Sequence, residues 1–136
     1  LYNRLQGMKK IALIAHDAMK PIMAAFINER EDWLWGKELI ATGRTAEHME
    51  SASFKVPIHH LSQGRSGGYL EIVDLLKRGE VDMVFFFRDP SVREADHPDI
   101  ESLVTAVMED NIPMASNPAS AELLILGSIK LESSRK

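Results

Sequence analysis

The sequence predicts a three-layer α/β domain built on a mostly parallel, five-stranded sheet with helices on both faces. Three observations carry that expectation. Short β-rich apolar runs alternate with helical stretches along the chain, the pattern of successive βαβ units. The runs at 11–15 and 83–87 are apolar almost without interruption, as strands covered on both faces are. The chain has 136 residues, 45% of them hydrophobic and 26% charged, which suffices for one buried core without metal or disulfide.

Taken in order, the first strand is read at 11–15, followed by a helix over 18–32 with Pro21 in its first turn. A second strand at 38–41 leads through Thr42 and Gly43 into a short helix at 45–51. The third strand, 56–61, contains Pro57, which weakens its claim to ladder pairing. After a loop at 62–68, a helix over 69–77 places Ile72, Val73, Leu75 and Leu76 on an apolar face and ends near Gly79. The fourth strand is 82–87. A loop at 88–98 precedes a helix over 99–110, with Ile100, Leu103, Val104 and Val107 at core-facing spacing. The fifth strand is 112–115 and the last helix 119–126, beyond which the polar tail 131–136 is expected to fray. Residues 1–7 precede Met8 and are expected to be a cloning or protease-site remnant, with one domain over 8–136.

Composition narrows the function. A net charge of −4 offers no basic footprint for nucleic acid. No apolar run approaches the roughly 18 residues that span a bilayer, so no membrane partner is expected. With no cysteine, thiolate catalysis and cysteine-ligated zinc drop out, and the chain is compatible with a reducing, cytoplasmic setting. His59 and His60 are adjacent in or beside a strand, so at most one can face a site, and with no third ligand at suitable spacing no metal is expected. Trp33 and Trp35 flank a turn near Gly36 and suit packing or a subunit contact.

In open α/β sheets ligands bind beyond the carboxyl ends of the strands. The residues there are His16 and Asp17; Thr42, Gly43, Arg44 and Thr45; Gln63, Gly64, Arg65, Ser66, Gly67 and Gly68; Arg88 and Asp89; Ser116 and Asn117. Glycines admit backbone N–H groups to an anion, hydroxyls donate, helix starts attract negative charge, and arginines add charge-assisted contacts. Each segment also has an ordinary structural use: Asp17 and Thr45 as helix caps, Asp89 before Pro90 as a turn, the glycine loop as a connector. That loop matches neither the Walker nor the dinucleotide fingerprint. The conjunction at four strand ends points to a small phosphorylated metabolite or inorganic phosphate.

The string IALIAHD at 11–17, with ATGRT at 41–45, GG at 67–68, FFFRDP at 85–90 and ASN at 115–117, resembles the methylglyoxal synthase family from residue 9 to about 127. The regulatory domain of carbamoyl-phosphate synthetase shares the fold but seldom AHD together with FFRDP. A response-regulator receiver would need an acidic residue after the third strand, where this chain has none. The resemblance implies conversion of dihydroxyacetone phosphate to methylglyoxal and phosphate with no metal or organic cofactor, and a homo-oligomer, commonly a hexamer. It places Lys20, Thr42, Gly43 and Thr45 on phosphate-binding positions, with Gly64 and Gly67 in a second phosphate-side loop. Asp17, Asp89 and Asp99 fall on active-site aspartates.

Two departures bear on the chemistry. The family's general-base aspartate follows the paired glycines, and here that position is Tyr69, in a loop one residue longer. A tyrosine with an ordinary pKa of about 10 is a poor base at neutral pH. Glu71 lies about 200° round a helix from Tyr69 and is a poor replacement. The family's histidine position holds Asp96, with His97 shifted by one residue. Arg44 replaces a small hydroxyl residue and Arg65 falls near a proline position, adding cations that suit a larger or more anionic ligand. Two readings stay open. One is an enzyme using Asp17 or Asp89 as base and His97 as proton relay; the other is a non-catalytic phosphate-ligand-binding or regulatory module.

Overall fold

The computed structural model describes residues 2–93 and 98–133, without the side chains of Tyr2, Asn3 and Arg65. Its centre is β1 (Lys10–Ala15), buried from Ile11 onward and paired in parallel with β2 (Glu38–Ala41) on one side and β4 (Met83–Phe87) on the other. The edges are β3 (Ile58–His60) beside β2 and β5 (Met114–Ala115) beside β4, giving the order β3-β2-β1-β4-β5 with every pair parallel. Alternation along β1 sends Ile11, Leu13 and Ala15 to one face and Ala12 and Ile14 to the other.

The first face is covered by α2 (Lys20–Glu29), α4 (Gly43–Ser51) and α7 (Pro118–Ser133), which contribute Met23, Ile27, Ala46, Met49, Ala121 and Ile125 to the core there. The second is covered by α5 (Gly68–Lys77) and α6 (Pro98–Glu109) through Ile72, Leu76, Leu103 and Val107. β4 is buried along its whole length, with Phe85 and Phe87 in one core and Phe86 in the other. This is the expected three-layer arrangement. No helix among the described residues is long and apolar enough to cross a membrane.

Boundaries differ from expectation in physically legible ways. The helix read at 18–32 is three pieces: a 3-10 turn at Asp17–Met19, then α2, then α3 (Glu31–Leu34). The chain tightens at Arg30, whose N–H bonds three residues back to Ile27. β3 begins only after Pro57, which has no N–H to offer the ladder. α4 starts at Gly43, two residues early, because Thr42 rather than Thr45 occupies the N-cap. α7 continues through Gly127 to Ser133, where a fraying tail was expected from 131. Its extra turns bury Ser128 and are tied by Lys37, whose ammonium donates to Glu132 at 2.5 Å and lies 4.6 Å over the Trp33 ring. Residues 1–7, expected to be a remnant, include α1 (Tyr2–Gln6), which packs on α7 and donates from Arg4 to the Asp110 carbonyl at 3.0 Å.

Candidate functional site

The sheet reverses direction of winding at β1, which meets β2 on one side and β4 on the other, and such a switch point opens a crevice at the carboxyl ends. Two bonds tie the ends there. The His16 N–H donates to the Phe87 carbonyl at 3.1 Å, and the Asp89 N–H donates to His16 Nδ1 at 2.8 Å. Because Nδ1 accepts, the neutral ring carries its proton on Nε2. The imidazole also meets the edge of Phe86 at 5.2 Å.

Around this junction lies a cleft of about 280 Å³ lined by His16, Asp17, Lys20, Thr42, Arg44, Gly64, Tyr69 and Asp89, together with Ala15, Ala18, Gln63 and Val92. Its size suits a small metabolite, since pockets for drug-sized ligands run about 300–1,000 Å³. A second depression shares Asp89 and Val92 and holds Arg88, Ser116 and Asn117. A larger groove of about 630 Å³ lies on the sheet face beside α5, between Ile40, His59, Leu61, Leu70 and Leu75. Apart from Leu61 and Gly67 it draws nothing from the carboxyl strand ends, so the smaller cleft is the candidate site.

Charge in the cleft is concentrated and paired. Lys20 is buried, and its ammonium donates to the Ala15 carbonyl at 2.6 Å and to Asp17 Oδ1 at 2.9 Å. Arg44 approaches the other oxygen, Asp17 Oδ2, at 3.3 Å. Asp89 Oδ1 accepts from the Ser91 hydroxyl at 2.7 Å and from the Ser91 N–H at 2.9 Å. Those two bonds, the hydroxyl's first, hold its carboxyl below the ordinary value of 3.8. Three helices start at the cleft, α2 at Lys20, α4 at Gly43 and α5 at Gly68, and none has a side-chain cap at its N-cap residue. Their first-turn N–H groups give the cleft the partial positive charge that anions favour.

Several expected site residues serve the walls. Thr45 is buried, with Oγ1 accepting from the Ala15 N–H at 3.2 Å and from the Thr42 hydroxyl at 3.1 Å. Gly43 donates its N–H to the Ser62 carbonyl at 3.1 Å, and a Cβ there would stand 3.1 Å from the Leu61 carbonyl oxygen. Ser66 and Gly68 donate N–H bonds to the Gln63 carbonyl, each at 2.9 Å, and close the turn. Gly67, at φ +108°, lines the groove on the sheet face. Asp99 sits in the first turn of α6 and lines neither the cleft nor the depression. Asp96 and His97 lie outside the described residues, as does the Arg65 side chain. Among the described residues no three His, Asp or Glu side chains form a metal-binding group.

Tyr69 occupies the deep wall. It is 8% exposed, stacks on Phe86 with centroids 5.8 Å apart, and lies so close to Gly64 that a Cβ there would come within 2.7 Å of the ring. Glu71 turns away and accepts the Ser62 N–H at 2.9 Å, so it takes no place in the cleft. Sequence reasoning passed over Val92 and Ala18 as lining residues; small or apolar side chains in a loop carry no chemical signal.

The MGS-like domain is the family whose model matches the chain, over residues 25–116. The chain belongs to the methylglyoxal synthase-like family. Among its methylglyoxal synthase-like relatives, the methylglyoxal synthase of Geobacillus sp. (strain WCH70) is 39% identical, covering 87% of this chain and 84% of that protein. The methylglyoxal synthase of Geobacillus thermodenitrificans (strain NG80-2) is 41% identical over 87% of this chain and 81% of its own length. Among solved structures, the methylglyoxal synthase of Elizabethkingia anophelis NUHP1 superposes with a TM-score of 0.77 at 29% identity, covering 87% of this chain and 77% of that one. Membership accounts for the three-layer fold on a five-stranded parallel sheet.

Proposed function

We propose that the chain binds a small phosphorylated metabolite of the dihydroxyacetone phosphate class in the β1–β4 cleft and turns it over slowly to methylglyoxal and phosphate. The observation that carries this is the meeting, in one small cleft, of Lys20, Arg44, the Thr42 hydroxyl and three helix starts without side-chain caps, beside Asp17 and Asp89. The relatives named methylglyoxal synthase support the reaction. Its chemistry asks for three things: a base to remove a proton α to the carbonyl, donors for the enediolate that forms, and a held phosphate whose carbon–oxygen bond then breaks. The cations and helix starts supply the hold. Proton removal is the weak step. Asp17 is engaged by two cations, and two hydrogen bonds from Ser91 hold the Asp89 carboxyl below its ordinary value, so Asp89 loses basicity.

Tyr69 favours a second reading, a phosphate-ligand sensor without turnover, since a buried phenol lines the cleft at the position that the resemblance assigns to the family's base. One pair of measurements separates the readings. Phosphate and dihydroxyacetone phosphate should both raise thermal stability in a concentration-dependent way, and Lys20→Ala should remove the shift. Release of methylglyoxal and phosphate should be detectable but depressed roughly 10²-fold or more below an enzyme with its base intact. No stabilisation by either ligand at millimolar concentration would refute the binding site; stabilisation with no product at all would leave the sensor.

A further inference from the structure

We propose that Glu71 is a positioning residue for the anion-binding helix starts: its carboxylate, acting through the Ser62 backbone, fixes how the start of α5 sits against the start of α4. The inference rests on the phosphate-binding reading above. Glu71 is not among the residues that line the cleft. It lines the groove on the sheet face, so it reaches a bound anion only through what it holds.

What it holds is a joint. The Leu61 N–H donates to the Ala41 carbonyl of β2 at 2.8 Å, and the next N–H, that of Ser62, donates to Glu71 Oε1 at 2.9 Å, with Oε2 at 3.4 Å. The Ser62 carbonyl accepts the N–H of Gly43, the first residue of α4, at 3.1 Å. Gly68, the first residue of α5, lies so close that a Cβ there would stand 2.2 Å from the same oxygen. One residue thus touches both helix starts. Its N–H side is fixed by Glu71 and its carbonyl side by α4, so a rotation of the Ser62 backbone moves the two starts against each other.

Helix propensity alone does not call for this reach. A carboxylate in the first turn of α5 suits the helix dipole in any rotamer, yet Glu71 returns across nine residues to one N–H. The turn between them is closed on itself, Ser66 and Gly68 both donating to the Gln63 carbonyl, and two of its residues, Gln63 and Gly64, line the cleft. An oxyanion shared by the N–H groups of two helices needs both starts held within about 0.5 Å of the productive geometry. The Glu71 bond bridges the two ends of the segment whose drift would spread them.

Calorimetric titration of the full chain with inorganic phosphate tests this in three variants, with amide exchange measured on the unliganded proteins. Glu71→Ala should bind phosphate about 5-fold more weakly, the effect of one lost hydrogen bond, and exchange should quicken at both Ser62 and Gly43. Glu71→Gln keeps an acceptor oxygen at the same reach and should stay within about 2-fold of the wild type. Loss of a negative charge by itself favours an anion, so weakening in Glu71→Ala runs against the electrostatics and reports position. Asp74→Ala, which removes a carboxylate paired with Arg78 further along the same helix, should change neither readout. With phosphate bound by the wild type, unchanged affinity in Glu71→Ala, or equal weakening in Glu71→Gln or Asp74→Ala, overturns this inference and leaves the phosphate site standing. Faster exchange confined to Ser62 overturns it as well. A wild type that does not bind phosphate overturns the two readings together.

Discussion

Tyr69 belongs to the core and to the cleft at once, and that double membership sets what can be done to it. Its ring lies against Phe86 and nearly touches Gly64, so it has nowhere to retreat. Gly64→Ala should therefore destabilise the fold by about 1–3 kcal/mol, the range for overpacking a tight site, and weaken phosphate binding; urea denaturation and a phosphate titration check both. Tyr69→Asp restores a carboxylate but removes a stacked ring worth about 0.5–1.5 kcal/mol beyond its buried area. Tyr69→Asn is the control that shares the packing loss. Turnover of dihydroxyacetone phosphate should rise roughly 10-fold or more in Tyr69→Asp relative to Tyr69→Asn. Asp89 gives a pH prediction. Its folded pKa is lowered by Ser91, so its contribution to stability is complete above the ordinary value of 3.8 and is lost only as pH falls through the lower folded value. A carboxyl NMR titration should show Ser91→Ala moving that value upward, with stability between pH 6 and 8 unaffected by this group. The strand-end rule made His16, Asp17, Thr42, Arg44, Gly64 and Asp89 legible from sequence. The same rule could not say that Thr45 would turn its hydroxyl inward to the Ala15 backbone, because a hydroxyl in a first turn suits either use.

At the scale of elements, β1 and β4 were legible because burial on both faces imposes an unbroken apolar run. α7 was not, and the reason is its surface. Leu123 and Leu126 are exposed although Ile125 between them is fully buried, so the apolar residues run round the helix and blur its period. Gly127 looks like a stop, yet no atom lies within 4 Å of where its Cβ would be, and the helix passes through. The buried stripe is Ala121, Ile125 and Ser128. Ile125→Ala should cost about 2–5 kcal/mol by the cavity it leaves. Ser128→Ala should be neutral or stabilising by up to about 1 kcal/mol, since the Ser128 hydroxyl is buried with no partner among the described residues. Thermal melts of the two variants should move in opposite directions, or the second not at all.

For the molecule as a whole, the sheet order has a kinetic meaning. β1 finds β2 within about one helix of chain, whereas Ile11 pairs in register with Met83, far along the sequence. Loop closure makes the near pairing the earlier one and the distant pairing the later one. The cleft is complete only once the later seam has closed, since Asp89 and Val92 beyond β4 join a lining otherwise hung from β1, β2 and the loop after β3. Interactions absent from the folding transition state act on the rate of unfolding and leave the rate of folding alone. Phosphate should then slow unfolding in a stopped-flow chevron while the refolding limb stays where it was. An anion at the seam would act as a latch on a door already closed, lengthening the lifetime of the native state without helping the chain to reach it.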